Sequence, residues 1–383
     1  MAIHSKLGAS SAYRWMKCPG SVALSENLPN ISSKYAEEGT IAHSLGELAI
    51  RDKMHPSNWL GQRLDKTVIG HDMVDAVTVY YDYVKNTVKK GDILHLEMPV
   101  SLDSLTPPVP MFGTSDCVIY KKKEHKLIVA DYKHGAGVPV DVKDNPQLRY
   151  YALGALLELG NAHPVREIEI VIIQPRAPHE DGPIRSEVIE PHEILEFGAN
   201  LIDAAITTTK PNAAIVPGDH CKFCRAAGIC PSLRNQALQV AQMEFTDTPI
   251  DPATLPVQMV GDLLAKAELV EEWIKALRAH AFATLERGGT VPGWKLVARR
   301  GTRKWTDEEN LVKKLEELGL KKDDIFESSL KSPAQIDKLL DKSGKEAIKA
   351  FCPSISSGVT LAPESDKRLA AASSAADDFT ALP

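Results

Sequence analysis

At 383 residues, with 43% hydrophobic and 25% charged side chains, the chain is long enough for one large core with appendages or for two ordinary domains. Wholesale disorder, a collagenous repeat and a small disulfide scaffold are excluded. The 45 basic against 51 acidic residues give a formal charge of −6, so any nucleic-acid partner must be held by local patches and metal ions, not by the field of a basic protein. The six cysteines are too few for a secreted disulfide framework, and three of them, Cys221, Cys224 and Cys230, are bunched in a way that suggests a metal centre.

In chain order, Ser10 and Ser11 are placed to cap a helix through about Ser25, and Ser32 or Ser33 to cap a second. The second carries Tyr35, Ala36, Ile41, Ala42, Leu45, Leu48 and Ala49 at mostly helical spacing. After the Pro56 and Gly61 punctuation, residues 71–88 give another helical pattern. The character then changes to short apolar runs, read as strands over 93–100, 115–120, 126–132 and 167–174. Between the last two lies Asn145 to Leu159, a crossover helix, so the centre of the chain is an α/β core with a mixed central sheet flanked by helices. Pro191 opens a helix over 192–208, and the Pro/Gly segment 211–219 leads into the cysteine cluster. A long helical pattern over 255–286 ends at Gly288 and Gly289, followed by an expected strand at Trp294–Ala298 and short charged helices to about Ala350. The expected organisation is an N-terminal helical segment over 1–60 carrying Cys18 and His43, the core with its cysteine cluster over 61–235, a mainly helical accessory region over 236–350, and a largely extended or disordered tail over 351–383. No basic segment followed by an apolar run opens the sequence, and no stretch reaches the roughly 18 apolar residues of a membrane span, so a cytoplasmic protein is expected.

The chemistry concentrates in the core. Strand alternation makes Asp131 and Lys133 project to one side, with Tyr132 turned away and its backbone carbonyl beside them. Asp116 on the neighbouring strand completes a carboxylate pair. Hard divalent ions such as Mg2+ or Mn2+ take oxygen ligands of this kind, and such an ion activates water and offsets charge on a phosphate; Lys133 would orient or deprotonate that water. Gln147 and Tyr151 share a face of the crossover helix at i, i+4 spacing, and His43 sits on a helix otherwise facing the core.

Asp116, Asp131-x-Lys133 and the helix beginning near Gln147 resemble the PD-(D/E)XK nuclease superfamily, in particular its RecB-like branch, and Gly39-Thr40-Ile41-Ala42-His43 is similar to that branch's histidine motif. The resemblance implies a restriction-endonuclease-like core in which His43, Asp116, Asp131 and the carbonyl of Tyr132 bind the metal, Lys133 assists the water, and Gln147 positions metal, water or DNA. Glu97 sits where such proteins often carry a glutamate and is an auxiliary candidate, as is Tyr151. The Pro292-Gly293-Trp294, Arg303-Lys304-Trp305 and Ser356-to-Leu361 segments resemble an uncharacterised phage and prophage protein family of this branch.

Cys221-x2-Cys224-x5-Cys230 offers three thiolates, and a closed zinc site or a cubane iron–sulfur cluster needs four ligands. Cys18 is preferred as the fourth over Cys117, which alternates with Asp116 on a core strand, and Cys352 in the accessory region. One distant N-terminal cysteine followed by C-x2-C-x5-C is similar to the iron–sulfur staple of AddB-type and CRISPR-adaptation nucleases, which implies a structural 4Fe-4S cluster; zinc is the alternative. Lys121, Lys122 and Lys123 in a hairpin tip, and Arg303 and Lys304 beside Trp305, are candidates for DNA contacts.

No G-x-x-x-x-G-K-[ST] loop occurs, so any unwinding must come from a partner; besides DNA, a helicase or a single-strand annealing protein supplied in trans is the expected partner. The reading as a whole is a metal-dependent deoxyribonuclease, an exonuclease of phage or prophage DNA recombination or replication in a bacterial cell or phage-infected host. The competing reading is a nuclease-like DNA-binding or assembly subunit whose catalytic set is vestigial.

Overall fold

A computed structural model of the chain describes residues 5–28, 34–244 and 256–294. It divides into two compact units, Met1–Gly289 and Thr290–Pro383. The first unit is a mixed α/β fold whose central five-stranded sheet has helices on both faces.

A 3-10 turn at Ala9–Ser11 leads into α1 (Ala12–Lys17) and α2 (Ser21–Ser25). The single helix expected here is broken at Cys18-Pro19-Gly20. Proline disfavours helical backbone in the residue before it, and Cys18 is indeed non-helical, with φ −130° and ψ 77°. Gly20 then approaches a distant segment, its N–H donating to the Ala214 carbonyl at 2.8 Å. A Cβ on Gly20 would lie 2.5 Å from the Ala213 carbonyl oxygen, so no other residue fits.

Helix α3 (Lys34–Asp52) follows; its expected caps, Ser32 and Ser33, lie outside the described residues. A small hairpin, β1 (Arg63–Leu64) with β2 (Thr67–Val68), was not foreseen from the pattern and precedes α4 (His71–Thr87). The sheet comprises β3 (Ile93–Ser101), β4 (Phe112–Lys121), β5 (Lys126–Tyr132), β6 (Glu167–Ile173) and β7 (Ile184–Ile189), hydrogen-bonded in that order. Every neighbouring pair is antiparallel except β5–β6, which is parallel and spanned by the crossover helix α5 (Pro146–Leu159). The edge strand β7 escaped the sequence reading because polar residues punctuate it and its burial merely alternates.

Two apolar layers sandwich the sheet. On one face Val118, Leu127, Val129, Ile170 and Ile172 pack with α1, α5 and α6 (Pro191–Thr208). On the other, Cys117, Ile119, Ile128, Ala130 and Tyr132 pack with Ile41, Ala42 and Leu45 of α3 and Val74, Val77 and Tyr80 of α4. Beyond α6, 3-10 turns at Asp219–Phe223 and Ala227–Ile229 carry the cysteine cluster, followed by α7 (Pro231–Glu244) and α8 (Val257–Glu286). Helix α8 lies against the second turn so closely that a Cβ on Gly228 would sit 2.8 Å from the Ala276 carbonyl. In the second unit, Val291 and Trp294 form an isolated bridge; the remainder of the strand expected at Trp294–Ala298 lies outside the described residues. No described helix is long and apolar enough to cross a membrane.

Candidate active site

Strands β4 and β5 bring the two aspartates together. Their register pairs Cys117 with Ala130, so Asp116 and Asp131 come next on adjacent strands. The Asp116 carboxylate is pinned from two directions: the Tyr132 backbone N–H donates to one oxygen at 2.7 Å, and His43 Nδ1 lies 3.3 Å from the other. The His43 ring meets Tyr132 edge-on, with centroids 5.4 Å apart, and Tyr132 in turn stacks on Tyr80. Helix α3 therefore delivers its histidine to the middle of β4, beside the end of β5.

Glu97 completes this group. Donor atoms of His43, Glu97 and Asp116 all lie within 4.8 Å of one another, the one such trio of His, Cys, Asp or Glu among the described residues. Glu97 sits mid-strand in β3 with φ +47°, a left-handed conformation that costs a non-glycine residue about 1–2 kcal/mol. The ladder pairs Leu96 with Cys117 and Met98 with Ser115 on either side of it, so the strain is confined to the residue facing the site. Burial, reinforced by the Asp116 charge, pushes the Glu97 carboxyl up to about 7. Burial disfavours the charged imidazole of His43, but the adjacent Asp116 outweighs it and raises that pKa.

Asp131 faces the other way in chemical terms. It is buried, which raises its pKa, while Lys133 opposes that rise with Nζ 2.7 Å from Oδ2. Gln147 bridges the two, accepting from Lys133 Nζ at 3.0 Å and donating from Nε2 to Asp131 Oδ1 at 3.1 Å. The helix start explains this placement: Pro146 occupies the first turn, and the Asn145 side chain accepts from the N–H groups of Gln147 and Leu148. Tyr151, one turn on, contacts Gln147 through its hydroxyl at 3.5 Å. Of the residues expected at the metal, His43 and Asp116 converge with Glu97, whereas the carboxylate of Asp131 is taken up by Lys133 and Gln147.

A third group was missed by sequence reasoning. Glu38 Oε1 lies 2.7 Å from Arg176 Nη1 and 3.1 Å from Nε2 of the buried His134, whose Nδ1 is 2.8 Å from the Tyr132 hydroxyl. It ties the start of α3 to the ends of β5 and β6 behind the site. Its members are up to 138 positions apart, and no local spacing signals them.

Four cysteines lie on the turn after α1 and on the two 3-10 turns after α6. The break at Pro19 places Cys18 so that its sulfur accepts from the Val216 N–H at 3.3 Å. Gly218 N–H donates to Cys221 Sγ, and Leu233 N–H to Cys230 Sγ, each at 3.4 Å. Burial pushes the Cys221 thiol up to about 11, with Cys224, Cys230 and Cys18 close enough to add to the rise. His220, buried beside them, shares a hydrogen bond with Cys18, which lowers the thiol's pKa against the opposing effect of burial. Cys117, fully buried in the α3–α4 layer, stands apart.

Lys121 is not available to a phosphate as the sequence suggested: it is buried, its ammonium 2.8 Å from Asp92 and 2.7 Å from the Thr87 carbonyl. Lys122 and Lys123 are exposed at the turn, and Arg303, Lys304 and Trp305 lie outside the described residues.

A family model described as "Protein of unknown function (DUF2800)" matches residues 4–369. Among solved structures, the chain is similar to that of SSO0001, at 14% identity over 58% of this chain and 96% of the other, with a TM-score of 0.25. It is also similar to a structure described as "Putative exonuclease" from Eubacterium rectale, at 10% identity over 64% of this chain and 90% of the other, with a TM-score of 0.35.

Proposed function

We propose that this chain, which belongs to the DUF2800 family by a match spanning nearly its whole length, is a metal-dependent deoxyribonuclease of the PD-(D/E)XK type. The observation that carries the reading is the convergence of His43, Glu97 and Asp116 beside the Asp131–Lys133–Gln147 set. Two carboxylates and an imidazole so close together, one carboxyl raised by burial and then by its neighbour's charge, form the donor set of a site that a divalent cation would relieve. The residues therefore fit Mg2+ or Mn2+, with His43, Glu97 and Asp116 as holders; Asp131 and the Tyr132 carbonyl are the further ligands that the motif resemblance implies. When bound, such a cation lowers the pKa of water and offsets negative charge on phosphate oxygens.

The remaining residues orient the reaction. Asp131 and Gln147 fix the Lys133 ammonium, which steadies the attacking water and the phosphate's negative charge as the new P–O bond forms and the old one breaks. Tyr132 holds Asp116 through its backbone N–H. The similarity of the motif set to the RecB-like branch favours an exonuclease acting in phage or prophage DNA recombination or replication.

For Cys18, Cys221, Cys224 and Cys230 we favour a structural 4Fe-4S cluster. The N–H donors aimed at three of the sulfurs suit thiolates on a cluster. A zinc tetrathiolate, with Zn–S near 2.3 Å, needs sulfurs roughly 3.8 Å apart. Zinc at the same four thiols is the alternative, and the absorption measurement below separates the two.

The test is digestion of end-labelled linear and circular DNA in Mn2+ by the full chain purified without oxygen. Wild type should degrade linear DNA, with Asp116→Ala and Lys133→Ala each abolishing the activity. Undiminished cleavage by both variants would refute the assignment; tight binding by wild type with no cleavage would identify a DNA-binding subunit instead. Broad visible absorption, lost in Cys224→Ser, would separate iron–sulfur from zinc.

A further inference from the structure

The turn between Cys221 and Cys224 presents Phe223, 73% exposed, directly to solvent. An exposed phenyl on a loose loop means little, but this backbone is fastened at each step. Cys221 N–H donates to the Gly218 carbonyl at 2.9 Å, Cys224 N–H to Cys221 at 3.0 Å, and Ala227 N–H to Cys224 at 3.1 Å. Two of the residues flanking the ring, Cys221 and Ala227, are buried, and α8 closes the underside through Leu269, Trp273 and Ala276. The ring is thus held out rigidly, and stacking a partner on it carries little ordering cost.

Its surroundings are cationic. Lys222 and Arg225 are both exposed; the Lys222 ammonium lies 5.9 Å from the Phe223 ring centroid, and Arg225 Nη1 reaches the Leu28 carbonyl at 3.3 Å. From His220 to Met243 the sequence contains Lys222, Arg225 and Arg234 and not one Asp or Glu, within a chain whose formal charge is −6. Asp219, just before this stretch, is engaged by Lys17 at 3.3 Å and by the Tyr13 hydroxyl. A braced aromatic face with a cation before and after it in a stretch of sequence free of carboxylates matches an unpaired base and its flanking phosphates. An apolar protein partner would have no use for the cations, and a duplex would keep its base faces stacked away from the ring.

We propose that Lys222, Phe223 and Arg225 form a single-stranded nucleic-acid binding site, separate from the catalytic residues, in which Phe223 stacks one base and the two cations meet adjacent phosphates. The proposal rests on the nuclease reading for its choice of a nucleic-acid ligand. It gives the cysteine centre a second consequence: by bracing the turn it holds the stacking ring in place.

The full chain, purified without oxygen and kept in chelator so that nothing is cut, is titrated into a fluorescein-labelled oligo-dT and read by anisotropy. Phe223→Ala should weaken binding at least about five-fold, the low end of base–aromatic stacking, and Phe223→Trp should restore it. Lys222→Glu with Arg225→Glu should flatten the dependence of log affinity on log salt by roughly 0.7 per lost phosphate contact. An unchanged melting temperature and visible spectrum confirm that the turn is intact. Unchanged oligo-dT affinity in both variants would overturn the proposal, as would poly-glutamate competing as well as oligo-dT, since that marks a cation patch of no nucleic-acid preference. Mn2+-dependent cleavage of thymidine 5′-p-nitrophenyl phosphate separates this from the catalytic reading: Phe223→Ala should leave it unaltered and Asp116→Ala should remove it. Weakened oligo-dT binding in Phe223→Ala, alongside cleavage that survives Asp116→Ala, would sink the catalytic reading and leave the binding site standing.

Discussion

Glu97→Gln should make the metal-free protein more stable and the metal-loaded protein less so. The glutamate's carboxyl stands at about 7 against an ordinary 4.5, because it is partly buried and faces Asp116. At about 1.36 kcal/mol per unit, that difference is worth about 3.4 kcal/mol at most, and solvent screening of a half-exposed group reduces it to about 1–2 kcal/mol. An acid whose folded-state pKa is raised favours folding only while protonated. Its contribution is fully present below pH ~4.5, declines as pH rises toward 7, and is gone above, where the ionised group opposes folding relative to a neutral one. Glutamine cannot ionise, so the variant should gain about 2–6 °C in melting temperature over wild type at pH 8 in chelator, and the gain should fade toward pH 5. Adding Mn2+ should reverse the order, since wild type regains a charged ligand that the variant lacks. Circular-dichroism melts at pH 5, 6.5 and 8, with and without Mn2+, measure all of this. A gain equal at pH 5 and pH 8, or equal Mn2+ stabilisation of the two proteins, would refute both the raised carboxyl and its role at the metal.

Three further outcomes are expected. Glu38→Arg and Arg176→Glu, each breaking the link between α3 and the strand ends, should weaken Mn2+ binding measured by electron paramagnetic resonance roughly ten-fold, and the double exchange should recover most of it. Gly20→Ala, whose new Cβ would meet the Ala213 carbonyl at 2.5 Å, should destabilise the protein by about 1–3 kcal/mol in urea melts and lower the iron recovered per chain; normal iron content would count against the docking of Cys18 on this segment. Lys121→Met should cut stability by about 1–2 kcal/mol, because the half-buried Asp92 loses its ion-pair partner and keeps only the Lys89 N–H, yet leave the affinity for DNA of the folded protein unchanged.

Much of the site could be read from short-range periodicities. The spacing of Asp131 and Lys133 put them on one side of a strand, the i, i+4 pair Gln147 and Tyr151 on one helix face, and the apolar runs at 93–100 and 126–132 coincide closely with β3 and β5. What escaped was decided by long-range geometry. Glu97 was an auxiliary candidate by its place in the motif order, but that its carboxylate meets His43 and Asp116 rests on a left-handed backbone at that one residue of β3, which glutamate gives no sign of favouring. Lys121 looked like one of three exposed lysines until Asp92, 29 positions earlier, folded against it. Conversely, the break at Cys18 was legible in Pro19 and was overridden by the helical pattern around it.

The placement of the cysteine centre also redirects what it can support. Reasoned from sequence, a staple from Cys18 to Cys221 ties down the N-terminal helices, His43 among them. In the fold, however, Cys18 follows α1, and α1 packs against α5 and α6 on one face of the sheet, with Trp15, Ala12 and Leu7 in the same apolar layer as Leu148 and Ala152. His43 rides on α3, in the layer on the opposite face. The helix that a centre at Cys18 would brace is therefore the neighbour of Gln147, which holds Lys133 and Asp131, and not α3, which carries His43. Losing the centre should loosen the Lys133 set while leaving the His43–Glu97–Asp116 group assembled. Cys224→Ser would then retain Mn2+ affinity within about two-fold while its turnover at saturating Mn2+ drops by roughly the 10²-fold that a small misplacement of positioning groups can cost. Equal losses in metal affinity and turnover would show instead that the centre supports α3.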